Sequence, residues 1–373
     1  MVVLVTASGC GFHSRVAGDD GGPPIDTGPP IDAVTDTLLD APSGICIGRF
    51  VLVCRPVAPA NNVAFLGPPT TINTDSDPRC ELQGQGTGAP QLCVMAAHDI
   101  KVDAVITVIG SHPLVFAAFH DLNITMKGSL VLTSPRGLTP GAGANDPACH
   151  APTAGGNGTA GSGGGAGGSF GGSGGAGGTG DMGGATAGTA GAPITPIVRV
   201  IGGCKGSQGG NAGLTPGGMP GDGGGAVMLI AANKLTIAGA VTAGGGGGLP
   251  AIAAGGGGGG SGGFVGLDGA SYTITGTGRV TANGGGGASG GAALMGLPGN
   301  DGTSSTTIAA SGGVALVGGG DGGNGSIAPL PSGTAGQNAL NGGGGGGGAA
   351  GVILVKGAAP GGGSYSPPLT LVP

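Results

Sequence analysis

The sequence predicts an all-β fold: a parallel β-helix (β-solenoid) with glycine-rich, partly polyglycine II-like excursions and essentially no α-helix. Three observations predict it. Short apolar segments rich in Val, Ile, Leu and Thr recur at spacings too short for helical crossovers. No amphipathic helix of three turns can be read anywhere along the chain. The 98 glycines among 373 residues are gathered into runs between the apolar segments. With 28 prolines they make up about a third of the chain, a share that ordinarily signals low complexity. The interleaved strand signals argue instead for stacked repeats, in which one coil buries its apolar face only against the next.

The expected strands run in order from Asp99. They are Ile100–Val102, Val105–Ile109, Pro113–Ala118, Leu122–Thr125 and Ser129–Leu132. After a long glycine-rich stretch come Ala226–Ala231, Lys234–Ile237 and Val241–Ala243, which lead into five glycines. A similar unit, Phe264–Leu267, Tyr272–Thr275 and Val280–Asn283, leads into four, and Gly351–Lys356 follows seven. Val227 and Val265 are equivalent at a separation of 38, whereas Val265 and Val352 are 87 apart, so the repeat is irregular, with insertions at its corners.

Within the insertions glycine falls on every third residue: Gly155, Gly158, Gly161, Gly164 and Gly167, then, after a slip of one, Gly168 through Gly183. Three residues per turn is the polyproline II repeat. Collagen needs frequent proline, and none occurs from Ala154 to Ala192. Ordering a glycine costs about 0.5–1 kcal/mol more than ordering an alanine. Only dense backbone hydrogen bonding and close contact offset that. Two states are open on composition alone: polyglycine II-like strands packed against the solenoid, and mobile glycine loops.

The chain opens Met1-Val2-Val3-Leu4-Val5-Thr6-Ala7-Ser8-Gly9-Cys10, an apolar stretch ending in small residues before a cysteine. This resembles the lipobox of bacterial lipoproteins, whose cysteine is acylated, although Ala7 stands where that family prefers Leu. Gly11 rather than Asp follows, which in the resemblance implies passage to the outer membrane. Residues 11–44 are rich in Asp and Pro, carry the tandem Pro-Pro-Ile-Asp of Pro23–Asp26 and Pro29–Asp32, and read as a disordered tether. The expected organisation is therefore a signal end and lipobox over 1–10, the tether over 11–44, a small disulfide-stapled β module over 45–98, and the solenoid over 99–373.

Six cysteines remain besides Cys10, an even number that favours disulfides in an exported chain. Local pairing is the simplest arrangement, Cys46 with Cys54 and Cys80 with Cys93. Cys149 and Cys204 lie at either end of a glycine-rich excursion and would tie it down. There is no Cys-x-x-Cys, and His13, His98, His112, His120 and His150 are not at ligand spacing, so no metal site is expected.

Composition narrows the function. The formal charge is −6, charged residues are 8% of the chain and the cations are scattered, so no nucleic-acid partner is expected. Aromatics at 2% argue against stacking platforms for bases or sugars. His98-Asp99 and His120-Asp121 suggest catalytic pairs, but sequence neighbours on a strand point to opposite faces, so no relay is expected. The acidic residues beyond 140 (Asp146, Asp181, Asp222, Asp268, Asp301, Asp321) are isolated, and the period of calcium-binding nonapeptide repeats is absent. Neither catalytic residues nor a cofactor are expected.

The arrangement resembles a group of glycine-rich surface lipoproteins of myxobacteria. The resemblance rests on the lipobox, the Asp/Pro spacer, the cysteine module, the block Gly110-Ser111-His112-Pro113-Leu114-Val115, the Gly-Gly-X runs and units such as Gly224-Gly225-Ala226-Val227-Met228-Leu229. It implies a non-catalytic, lipid-anchored structural or adhesive protein of the outer membrane or cell surface. Its partners would be the bilayer, through an acyl group on Cys10, and a surface or extracellular matrix. The alternatives are a surface glycan- or ice-binding module, the latter needing ranks of Thr such as Thr242 and Thr281, and a β-helix polysaccharide lyase or hydrolase.

Overall fold

A computed structural model describes residues 44–373; Cys10 and the expected tether up to Ser43 lie outside the described residues. Among the described residues the chain is almost entirely strand and loop, with one short 3-10 turn at Asp181–Gly183. β1 (Ile45–Ile47) and β2 (Val53–Arg55) form an antiparallel hairpin bridged by Cys46–Cys54. Next come β3 (Val63–Phe65), β4 (Thr70–Asn73), β5 (Glu81–Gln83), β6 (Leu92–Ala97), β7 (Ile100–Val102) and β8 (Val105–Ile109). β9 (Leu114–Ala118), β10 (Asp121–Ile124) and β11 (Ser129–Val131) follow after short corners. β12 (Ala226–Ile237), β13 (Ala240–Thr242), β14 (Phe264–Ile274), β15 (Arg279–Thr281) and β16 (Val352–Lys356) are set between the glycine-rich insertions, and β17 (Ser364–Ser366) and β18 (Leu369–Val372) end the chain.

The remaining strands build two sheets. The larger runs β18-β16-β14-β12-β10-β7-β3, with β9, β6 and β5 alongside; the smaller runs β17-β15-β13-β11-β8-β4. Every pairing in them is parallel except β5 with β6. Parallel register places like residues over one another. Met95, Phe116, Leu229, Leu267 and Val355 form one inward column, and Ile106, Leu130, Val241, Val280 and Tyr365 another. Side chains alternate across a strand, so each rung adds its apolar member to the same core. Burying such a Leu, Ile or Phe stabilises by about 1.5–3 kcal/mol.

The outer face of the larger sheet is also apolar. Val94, Val115, Met228, Phe264 and Leu354 are covered by Ile47, Val51 and Val53 of the β1–β2 region and by Phe170, Val200 and Ile201 of the glycine-rich insertion. Arg49 fastens the hairpin: its Nε donates to buried Asp268 Oδ1 at 2.8 Å and its Nη2 to Lys356 O at 2.8 Å. Phe50 stacks on Phe264 with centroids 5.9 Å apart.

Three sequence expectations change. The boundary at 98/99 does not separate two modules, because β3 pairs with β7, β4 with β8 and β6 with β9. The expected pairs 226–231 with 234–237 and 264–267 with 272–275 are each one long strand, with a register shift between Ala231 and Lys234 absorbing the break. Val265 aligns with Ile353, not Val352; a slip of one would turn every side chain of β16 to the other face.

The glycine-rich insertions form a hydrogen-bonded array against the sheets. In segment 255–263 the amides of Gly256 and Gly259 donate to Gly343 and Gly346, those of Gly257 and Gly260 to Leu249 and Gly246, and those of Gly258 and Ser261 to Ser207 and Cys204. The same segment accepts bonds from Gly165 and Gly168, from Gly218 and Gly221, and from Gly285 and Ala288. Every third amide thus addresses the same neighbour, as a three-residue repeat requires. Segment 343–349 is embedded alike among 162–168, 282–288, 331–337, 320–326, 172–178 and 255–262. The chains approach so closely that no Cβ fits: one added at Gly345 would lie 2.1 Å from Gly257 O, and one at Gly348 only 1.9 Å from Gly260 O. The glycine segments are therefore ordered and packed on one another, not open loops.

Candidate functional site

Two features stand apart from the core: a cluster of titratable side chains at the strand corners and an apolar set of loop ends on the glycine array. The cluster forms where β6 turns into β7 and β9 into β10. His98 and Asp99 make the first corner, Phe119 and His120 the second. The second corner holds one residue more relative to the strand register, since Ala97 aligns with Ala118 but Ile100 with Leu122. The His120 N–H donates to His98 O at 2.9 Å, which sets the two imidazoles face to face, centroids 5.2 Å apart.

Asp99 lies between them. Its Oδ2 is 3.1 Å from His98 Nδ1 and its Oδ1 3.0 Å from His120 Nδ1, and the Asp121 N–H donates to Oδ1 at 3.0 Å. Burial works to raise the Asp99 pKa, but the Asp121 amide and the two imidazoles outweigh it and hold the carboxyl below its usual value. Asn233 Nδ2 donates to Asp121 Oδ1 at 2.8 Å and reaches within 3.4 Å of His120 Nε2. Lys101, Asn123, Lys234 and Thr236 line the shallow groove beside the cluster. The expectation that His98-Asp99 and His120-Asp121 diverge is corrected here. The alternation rule holds along a strand, whereas His98, Asp99 and His120 lie between strands, where parallel pairing of the flanking strands brings them together.

The second feature lies where the glycine chains reverse away from the sheets. The reversals at 157–161, 180–185, 211–215, 250–254, 292–295, 315–319 and 338–342 are tied to one another. Gly213 N–H donates to Gly158 O, Met182 N–H to Leu340 O and Asn341 N–H to Gly318 O. Thr159 N–H donates to Asp181 Oδ2, Ala212 packs with Ala251 and Ala254, and Ile252 bridges to Met295. Met182, Leu214, Ile252, Met295, Val317 and Leu340 are all solvent-exposed there, Leu214 and Val317 almost fully, at 104% and 96%. Asp181 is the one charged residue in these seven reversals. Single exposed apolar side chains are ordinary on a protein surface; their recurrence on linked loop ends makes this set the second candidate site.

The remaining candidates resolve into structural roles. Cys46–Cys54, Cys80–Cys93 and Cys149–Cys204 are all bonded, the last fixing the start of the glycine-rich insertion to its array. Asp222 Oδ1 accepts from Asn145 Nδ2 at 2.9 Å and pairs with Lys205 Nζ at 3.0 Å, and Asp301 Oδ1 accepts from the Arg136 and Gly247 amides at 2.9 Å each. Both carboxylates therefore serve internal partners. The Thr rank exists in register, Thr71-Thr107-Val131-Thr242-Thr281-Ser366, but Val131 interrupts it. Thr242 and Thr281 are also covered, at 7% and 0% exposure. No helix among the described residues is long and apolar enough to cross a membrane. Comparison with known protein families, curated proteins and solved structures gives no match to this chain.

Proposed function

We propose that the chain is a non-catalytic, lipid-anchored cell-surface protein, structural or adhesive. In this reading a parallel β-helix carries a polyglycine II-like bundle whose apolar loop ends make the contact. The observation that carries the reading is the exposed set Met182, Leu214, Ile252, Met295, Val317 and Leu340 on mutually bonded reversals. A rigid array of backbone hydrogen bonds presents them with little further ordering to lose on contact, and each aliphatic side chain buried there is worth about 1.5–3 kcal/mol before association costs. The three disulfides fit an oxidising compartment. The resemblance to myxobacterial surface lipoproteins supplies the anchor, an acyl group on Cys10 in the outer membrane.

Two arms test it in cells displaying the full chain. Palmitate should label the wild type and not Cys10→Ser, with the variant lost from the membrane fraction; an unlabelled wild type overturns the anchor. Attachment of the cells to a hydrocarbon-coated surface should fall several-fold when Leu214→Asp, Val317→Asp and Leu340→Asp are combined, with the thermal transition of the purified protein unchanged. Equal attachment by wild type and variant overturns the contact surface.

A further inference from the structure

We propose that His98, Asp99 and His120 form a binding site for a divalent transition ion of the zinc class. One ligand atom from each of these residues lies within 4.8 Å of the other two. In tetrahedral zinc, bonds of roughly 2.0–2.2 Å place nitrogen and oxygen donors about 3.3–3.6 Å apart. His98 Nδ1 lies 3.1 Å from Asp99 Oδ2 and His120 Nδ1 lies 3.0 Å from Asp99 Oδ1, so each imidazole meets its own oxygen of the carboxylate at close to that spacing. Turning the two imidazoles out of their face-to-face stack, so that both Nδ1 lone pairs converge, opens the centre of the triangle to an ion.

The backbone holds the ligands before any ion arrives. His98 N–H donates to Asn61 O at 2.9 Å, His120 N–H to His98 O at 2.9 Å, and Asp99 N–H to Asn62 Oδ1 at 3.2 Å. All three ligands therefore sit on corners of paired rungs rather than on a free loop, the condition for a preorganised site. The ion takes the Nδ1 lone pair of each neutral imidazole, and the ring proton resides on Nε2. Asp121, whose Oδ1 is 3.8 Å from His120 Nδ1 and is held by Asn233, stands where a fourth ligand or a hydrogen-bond partner for bound water is needed.

The donor set selects the class of ion. Two imidazoles and one carboxylate suit zinc, copper or nickel, whereas calcium and magnesium need more oxygen ligands than the cluster offers. Lys101 and Lys234 on the groove wall oppose any cation, so an ion here has to be held by directed bonds to nitrogen.

Zinc chloride titrated calorimetrically into the full oxidised chain, and the visible spectrum of its cobalt adduct, test the site. One zinc per chain should bind saturably and raise the melting temperature, as any ligand specific to the native state does. The cobalt adduct should show the ligand-field bands of a nitrogen- and oxygen-ligated tetrahedral centre. His98→Ala with His120→Ala should abolish the bands and the melting shift. His98→Gln, which keeps a polar side chain of comparable length, should weaken binding at least tenfold, and Asp121→Asn should do so about 10- to 100-fold. His112→Ala, outside the cluster, should leave binding unchanged. No saturable uptake at millimolar zinc, or undiminished uptake by the double variant, overturns the proposal and leaves the cluster a hydrogen-bonded corner.

Discussion

Gly258→Ala is the sharpest perturbation of the glycine array. A Cβ at residue 258 would lie 2.0 Å from Ala166 O and 2.4 Å from its carbonyl carbon. An ordinary contact needs well over 3 Å, so the neighbouring chain must retreat by about 1 Å. That retreat strains the bond from Ser207 N–H to Ala166 O, 2.8 Å, and those through Gly258 itself, from its N–H to Ser207 O and from Gly221 N–H to its carbonyl. Leaving one or two buried polar groups poorly paired costs about 1–3 kcal/mol each. Overpacking adds roughly 1–3 kcal/mol. Alanine's smaller loss of chain entropy returns only about 0.4–1 kcal/mol. Taken at mid-range these give a net destabilisation of about 4 kcal/mol, a large part of a typical domain's stability, and a fall in melting temperature on the order of 10 °C. Gly276→Ala and Gly361→Ala are the controls, since nothing lies within 4 Å of a Cβ at either position and neither has a positive φ. They should be neutral or slightly stabilising. Thermal and denaturant unfolding of the three variants decide the matter. A Gly258→Ala protein that melts with the wild type would refute the packed array.

Thr281 is fully buried and its hydroxyl has no hydrogen-bond partner, so Thr281→Val should stabilise by about 1 kcal/mol in denaturant unfolding; a loss would mean that the hydroxyl is bonded. The Asp77 carboxyl is held below its usual value of 3.8 chiefly by hydrogen bonds from the Arg79 guanidinium, with burial opposing. A folded-state value below the unfolded one gives stability that is present above pH 3.8 and is lost as the pH falls through the folded value. The wild type should therefore exceed Asp77→Asn by a margin that is constant above that window and shrinks within it; a margin independent of pH would exclude the linkage.

Strand positions were the most legible part of the sequence. Val105–Ile109 and Leu114–Ala118 are short apolar runs that pack on one or both faces, and both form strands where expected. The glycine array was not legible, for a physical reason. The triplet repeat fixes where successive amides point but not what they meet, and the partners of Gly258 are Ser207 and Gly221, distant in sequence. The corner cluster was hidden for a related reason. His98 and His120 are 22 residues apart, and only the extra residue in the second corner brings them into contact. The local disulfides could be read from spacing, because short loops close most readily. The junction at 98/99 could not, because it is crossed by rung-to-rung pairing that leaves no trace in composition.

The glycine array also bears on proteolysis. A protease binds its substrate as an extended segment, pairing with the backbone and reading a side chain next to the scissile bond. Here the amides and carbonyls that such an enzyme would address are already spent on neighbouring chains, and the residues between them offer no side chain to a specificity pocket. No Lys or Arg occurs between Arg279 and Lys356, which removes the cleavage points of basic-specific enzymes from the whole of that excursion. Cleavage is thereby confined to the reversals at the ends of the array, where Leu214 and Val317 stand in solvent. A nick at one of these ends would leave the chains on both sides held by their lateral bonds.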